Sequence, residues 1–132
     1  MNRRIIVAAI FLLLVSPAWA IDFAQPILGL DGSPLPNAVG KAAPLTLEQI
    51  AEDALLANYA DEQGAGPTTR PISGDEKVKR YALALKIHDA PNKADVALTI
   101  DEAKLLKDLI GKAYGPAVVG PAWHMLEAAS AK

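Results

Sequence analysis

Three times in this 132-residue chain a hydroxyl side chain stands three positions ahead of a Glu or Gln at the head of an apolar-periodic run: Thr46 with Gln49, Ser73 with Glu76, and Thr99 with Glu102. That spacing is a capping box, in which the hydroxyl accepts from the backbone N–H three residues on and the longer side chain reaches back to the cap. Each one marks a helix start, so the chain is constrained to at least three helices and their connections. The first run, LEQIAEDALLANYA, carries Leu47, Ile50, Ala54, Leu55 and Asn58 at helical spacing. Its other face holds Glu48, Gln49, Glu52 and Asp53, which suit the positive end of the helix dipole and read as a solvated face, not a metal site.

The second run, GDEKVKRYALALKIH, aligns Val78, Tyr81, Ala82 and Leu85 in one stripe, widened by Leu83 and Ile87. A helix apolar over that much of its circumference is central or touches something else. The stripe is expected to face the core, with Leu85 at its centre, so that Leu85→Asp unfolds the domain. In the third run Ile100, Ala103, Leu106, Ile110 and Ala113 face one way, bordered by Leu105 and Leu109, and Asp108 with Lys112 forms an i,i+4 pair. Gly115 ends that helix and Pro116 opens the next turn, while Gly120-Pro121 predicts a kink or a restart. Trp123 and Leu126 then fall on one side, and Trp123 is expected to pack inward. Tyr81, Trp123, Pro116 and Pro121 are the candidate interface residues.

Before the first helix, residues 21–44 contain Pro26, Pro34, Pro36 and Pro44 with Gly29, Gly32 and Gly40, too much punctuation for a helix. ILGLDGSPLP predicts a tight turn at Asp31-Gly32, with edge strands at best because proline cannot donate to a ladder. The segment reads equally as an extended arm, laid over the helices or reaching a partner, or as a flexible N-terminus. Residues 1–20 carry the marks of a secretory signal peptide: Asn2-Arg3-Arg4, an apolar run over 5–15, and Ala18-Trp19-Ala20 as a cleavage site. Eleven helical residues rise about 16 Å, against roughly 30 Å of hydrocarbon, so the run is too short to remain as a span. The expected location is periplasmic or secreted, with membrane contact only transiently through the signal.

Loss of Arg3 and Arg4 leaves 11 basic against 15 acidic residues, a net charge of −4 that gives no general attraction to nucleic acid. Lys77, Lys79, Arg80 and Lys86 are the only basic cluster, and Asp75 and Glu76 counter them, so a solvated helix face is expected. The chain has no Cys, so an exported domain of this size must rely on helix packing or on a partner. Nucleophilic catalysis lacks its parts: Ser33, Ser73 and Ser130 lie in no G-x-S-x-G, and His88 and His124 sit in unrelated settings. His88 is explained by the negative end of its helix dipole. A calcium loop begun at Asp89 fails, with Ala94 in the glycine position and Ile100 in the bidentate glutamate position. Two histidines without cysteine make no zinc shell, and GAGP at 64–67 lacks the lysine of a phosphate loop. No cofactor is expected.

The segments GDEKVKRYALALKI at 74–87 and TIDEAKLLKDLIGKAYGPAVVGPAWHMLE at 99–127 resemble small helical proteins encoded in tailed-phage and prophage gene clusters. The likeness lies in the order of parts over 22–127: a DG-containing arm, a TL-opened helix, a GDEK-R helix and a final K-LIGK-Y segment. It implies an accessory or virion-associated protein and transfers no catalytic residue. Phage assembly is cytoplasmic, so either this copy has acquired an export signal or the first 20 residues are a gene-start artefact and the protein is cytoplasmic.

Taken together, these features predict an all-α fold: a small bundle of three to four helices over 45–128, behind a Pro/Gly-rich arm at 21–44 and before a frayed tail at 129–132. The expected role is non-catalytic, through contact with an unidentified protein partner or by self-association. The competing expectation is a periplasmic small-molecule or metal-binding protein with its pocket inside the bundle.

Overall fold

The computed structural model describes residues 19–37, 43–64 and 66–130. The predicted n-region and apolar run at 2–15 lie outside the described residues, as do Gly40 and the final two residues. The chain is mostly helical, with α1 (Leu47–Leu56), α2 (Gly74–His88), α3 (Ile100–Ala113) and α4 (Pro116–Ser130). A one-turn 3₁₀ helix, Ala60–Glu62, follows α1. The all-α expectation is corrected by a small antiparallel sheet in which β1 (Trp19–Ile21) pairs with β2 (Val96–Leu98), with Ile21 opposite Val96. β2 falls in DAPNKADVAL, residues 89–98, which Pro91-Asn92 marks as a loop, and it alternates so that Val96 and Leu98 point inward.

All three hydroxyl caps form. Thr46, Ser73 and Thr99 each accept from the backbone N–H of the third residue on. Only Thr99 completes the reciprocal box, Glu102 accepting from its N–H at 2.9 Å. At Thr46 the Gln49 carboxamide instead accepts from the Asn37 side chain, and at Ser73 Glu76 turns toward Arg80.

The arm belongs to the core. Ile21, Phe23 and Ile27 are fully buried together with Leu47 and Ile50 of α1 and Leu106 and Ile110 of α3. Phe23 N donates to Lys93 O at 2.7 Å, and Ile27 N to Leu45 O at 2.8 Å. Beyond Ile27 the chain doubles back through isolated bridges, Leu28 with Pro34 and Pro36 with Pro44, because prolines cannot support a continuous ladder. The expected turn sits at Asp31-Gly32: Gly32 has φ +79°, which glycine adopts without strain, and the Asp31 carboxylate accepts from Ser33 N and Oγ. Those bonds hold the Asp31 carboxyl below its ordinary value.

α1 lies against both α2 and α3, and α4 packs on α3 and β1. α1 buries Leu47, Ile50, Ala54 and Leu55, as expected, together with Ala51, while Asn58, expected on the same face, lies exposed beyond its end. α2 is rotated relative to expectation: it buries Arg80, Leu83, Ala84 and Ile87, and leaves Val78, Tyr81, Ala82 and Leu85 in solvent. The face of Leu83, Ala84 and Ile87 can be buried because its charged member, Arg80, meets the Glu62 carboxylate inside. Leu85 is therefore not a core centre. On α3, Ala103, Leu106, Leu109 and Ile110 are buried while Ile100 and Ala113 are exposed. Lys112 pairs with Asp61 and Glu62, not with Asp108.

No restart occurs at Gly120-Pro121; α4 is continuous through Pro121. The N–H that proline lacks would have met the carbonyl of Ala117, an exposed first-turn residue whose carbonyl water can satisfy. Ala122 and Leu126 are buried, and Trp123 lies half-buried against α3, its Nε1 donating to Lys107 O at 3.0 Å. Gly111 makes that approach possible: a Cβ there would lie 3.1 Å from the Trp123 ring. Among the described residues no helix is long and apolar enough to cross a membrane.

Candidate functional site

The face that α2 turns outward is as apolar as the one it buries. Val78 is 66% exposed, Tyr81 59% and Leu85 43%, and Leu56 at the end of α1 joins them at 56%. Positions 78, 81, 82 and 85 are the i, i+3, i+4, i+7 set of one helical stripe. Leu56 and Tyr81 are shared by two neighbouring clefts. One, of about 200 Å³, is floored by Tyr59, Glu62 and Arg80. The other, of about 260 Å³, runs between Leu56 and Leu85 to Glu52 and His88.

The floor of the first cleft is a fixed ionic cluster. Arg80 donates from both terminal nitrogens to the two Glu62 oxygens at 2.8 and 2.9 Å, a fork-on-fork pair. Lys112 donates to Glu62 at 2.9 Å and lies 2.7 Å from Asp61. The Tyr59 ring receives both cations, Lys112 Nζ at 4.7 Å and the Arg80 guanidinium at 5.8 Å from its centroid. Its hydroxyl, pointing the other way, donates toward the carbonyls of Ala54 and Leu109. The Arg80 hydrogen bond, then Lys112, holds the Glu62 carboxyl down at about 2. Arg80 Nε makes no hydrogen bond; its nearest carboxylate oxygen, on Glu76, is 3.6 Å away. With both terminal nitrogens of Arg80 engaged by Glu62, this cluster is an internal clamp joining the 3₁₀ turn to α2 and α3.

At the far end of the strip, Glu48 and Glu52 occupy successive turns of α1 opposite His88, with one ligand atom from each within 4.8 Å of the others. His88 Nδ1 is 3.0 Å from Glu52. Glu48 is already met by Lys93 at 2.9 Å, and the same ammonium donates to the carbonyls of Ile87 and His88. A lysine thus caps the negative end of α2 where a cation would otherwise lodge. The two glutamates and the histidine come from helices far apart in the chain, so spacing gave no sign of the cluster.

Of the candidate interface residues, Tyr81 lies on the strip and Pro116 is exposed at the start of α4. Pro121 and Trp123 are half-buried, Trp123 under the Lys107 ammonium at 4.7 Å from its ring. The basic cluster is dispersed: Lys77 and Lys79 are exposed, Arg80 is buried and Lys86 pairs with Glu102 at 2.8 Å. His124 is exposed beside a separate cleft of about 570 Å³ between α4 and the arm. Comparison with protein-family models, with curated proteins and with solved structures finds no match to this chain.

Proposed function

We propose that this protein is a non-catalytic, exported binding protein that contacts another protein through the Leu56–Val78–Tyr81–Leu85 strip, its four helices acting as a small rigid bundle behind that surface. The observation that carries this reading is the strip itself: four large apolar side chains, each about half exposed, aligned on one face where α1 and α2 meet. Scattered apolar residues on a surface need no explanation, but a contiguous set rimmed by charge marks an interaction surface. The clamp below it keeps α2 in register without involving the strip.

Cleavage after Ala20 removes Trp19 and Ala20, and with them two of the three β1–β2 pairs, while Ile21 and Phe23, the buried anchors, stay in the mature chain. An accessory role in a prophage-derived cluster is what the resemblance over 74–87 and 99–127 implies for such a binding protein.

A photo-crosslinking amino acid placed at position 81, with position 104 on α3 as control, tests the contact. Crosslinked adducts from 81 and not from 104 are expected. Equal yields, or none from 81, refute the strip as the contact. Sequencing of the mature N-terminus should begin at Ile21, and a full-length cytoplasmic species refutes export.

A second reading is favoured by the convergence of Glu48, Glu52 and His88, which are suitable donors for a divalent cation once Lys93 swings away. Zinc titration by calorimetry tests it. A saturable signal lost in His88→Ala supports the cation site, and a flat isotherm for the wild type removes it.

A further inference from the structure

We infer that the folded precursor shields its own cleavage site, so that removal of residues 1–20 has to come before the arm docks. This rests on the export reading and assigns the order of its steps. The bond to be cut joins Ala20 to Ile21, and both residues stand in β1, opposite Ala97 and Val96 of β2. Ala20 is exposed, but Ile21, across the scissile bond, is 1% exposed. Just downstream the backbone is bonded on two sides. Phe23 N donates to Lys93 O at 2.7 Å, while Glu48 N donates to Phe23 O and Leu47 N to Gln25 O, each at 3.0 Å. The Phe23 ring is fully buried. Hydrolysis adds water to the Ala20 carbonyl carbon and breaks its bond to Ile21 N, leaving a carboxylate on Ala20 and an ammonium on Ile21. A peptidase performs that step on an extended segment that it can enclose, with residues on either side of the bond in its own cleft. Susceptibility to cutting therefore follows the burial and hydrogen bonding of the affected backbone. Here the segment must leave β2 and withdraw Ile21 from the core before it can be enclosed. β1 is only three residues long, so this is a local opening and not global unfolding. Cleavage of the folded chain then runs at the rate for a free segment multiplied by the fraction of molecules that are open. Returning Ile21 and Phe23 to water holds that fraction to about one in a hundred or less.

Digestion by purified signal peptidase tests the inference, with two substrates side by side in mild detergent. One is the full chain, held below its thermal melt; the other is a peptide of residues 5–30, which contains the site without β2 or α1. The peptide should be cut between Ala20 and Ile21, and the folded chain at least about a hundredfold more slowly. Val96→Ala trims the buried residue paired with Ile21 and lies outside the peptide, so it should speed cleavage of the full chain about tenfold. Leu30→Ala, at an exposed position of the arm, should leave both rates unchanged. Equal rates for full chain and peptide overturn the inference, as does a full chain whose rate is indifferent to Val96→Ala; the signal peptide then stands. A peptide left uncut refutes the signal peptide itself, and the order of steps falls with it.

Discussion

Glu62→Gln is the sharpest perturbation this fold offers, because one carboxylate serves Arg80, Lys112 and, through them, the ring of Tyr59. The Glu62 side chain is 9% exposed, so the pair works largely out of water. Its carboxyl titrates at about 2 in the folded chain against 4.5 as a free group. At about 1.4 kcal/mol per unit that difference corresponds to at most about 3 kcal/mol of stability, reduced by the water that reaches the Lys112 side. Because the folded value is the lower one, the unfolded chain binds more protons between pH 4.5 and 2. The contribution is therefore complete above 4.5 and lost as pH falls toward 2. The Gln variant keeps one acceptor but no charge, leaving the Arg80 guanidinium buried without its counterion, so it should be less stable at pH 7 by about 3 kcal/mol. Urea denaturation followed by far-ultraviolet circular dichroism at pH 7, 4.5, 3 and 2 measures the difference between wild type and variant. That difference should be constant from pH 7 to 4.5 and shrink toward zero by pH 2. A gap of the same size at pH 2 as at pH 7 would mean that packing, not the ion pair, carries the effect.

Leu85→Asp, on the outward strip, should change stability by no more than about 0.5 kcal/mol, while Leu83→Asp, two residues away and buried, should unfold the chain; a thermal melt of each decides the orientation of α2. Phe23→Ala should cost about 3 kcal/mol or more because the ring is fully buried, and a variant as stable as the wild type would return the arm to the status of a loose N-terminus. Gly111→Leu should lower the melting temperature and shift Trp123 fluorescence in the chain that begins at Ile21, where Trp123 is the sole tryptophan, since a Cβ alone reaches 3.1 Å from the ring; an unmoved spectrum would show that α4 yields freely.

The helix starts were legible because capping is local chemistry: a hydroxyl and the third N–H along need nothing from the rest of the chain. The Asp31-Gly32 turn was legible for the same reason. The sheet was not, since β1 and β2 are three residues each and owe their existence to a pairing across 75 positions that no local pattern announces. Of the two outcomes read at Gly120-Pro121, a kink or a restart, the restart does not occur, because Pro121 stands early enough in α4 that the carbonyl it orphans belongs to the exposed Ala117.

The rotation of α2 is the instructive failure. Periodicity put Val78, Tyr81, Ala82 and Leu85 in one stripe and counted Leu83 and Ile87 as its widening, whereas the buried face centres on Leu83, Ala84 and Ile87 and contains an arginine. Burying an arginine is unfavourable only while it is unpaired. Glu62, in a segment that composition marks as loop, removes that penalty, and so Leu83, Ala84 and Ile87 can go inward beside Arg80. The ion pair thereby does more than hold the 3₁₀ turn: it decides which face of α2 is hidden. The arc left outside remains as apolar as a core face, and an aqueous surface gives no stability reason to keep Val78, Tyr81, Leu85 and Leu56 together there. The clamp that misled the sequence reading and the strip proposed as the contact are thus two sides of one helix, and Glu62→Gln, by loosening the first, should also weaken whatever docks on the second.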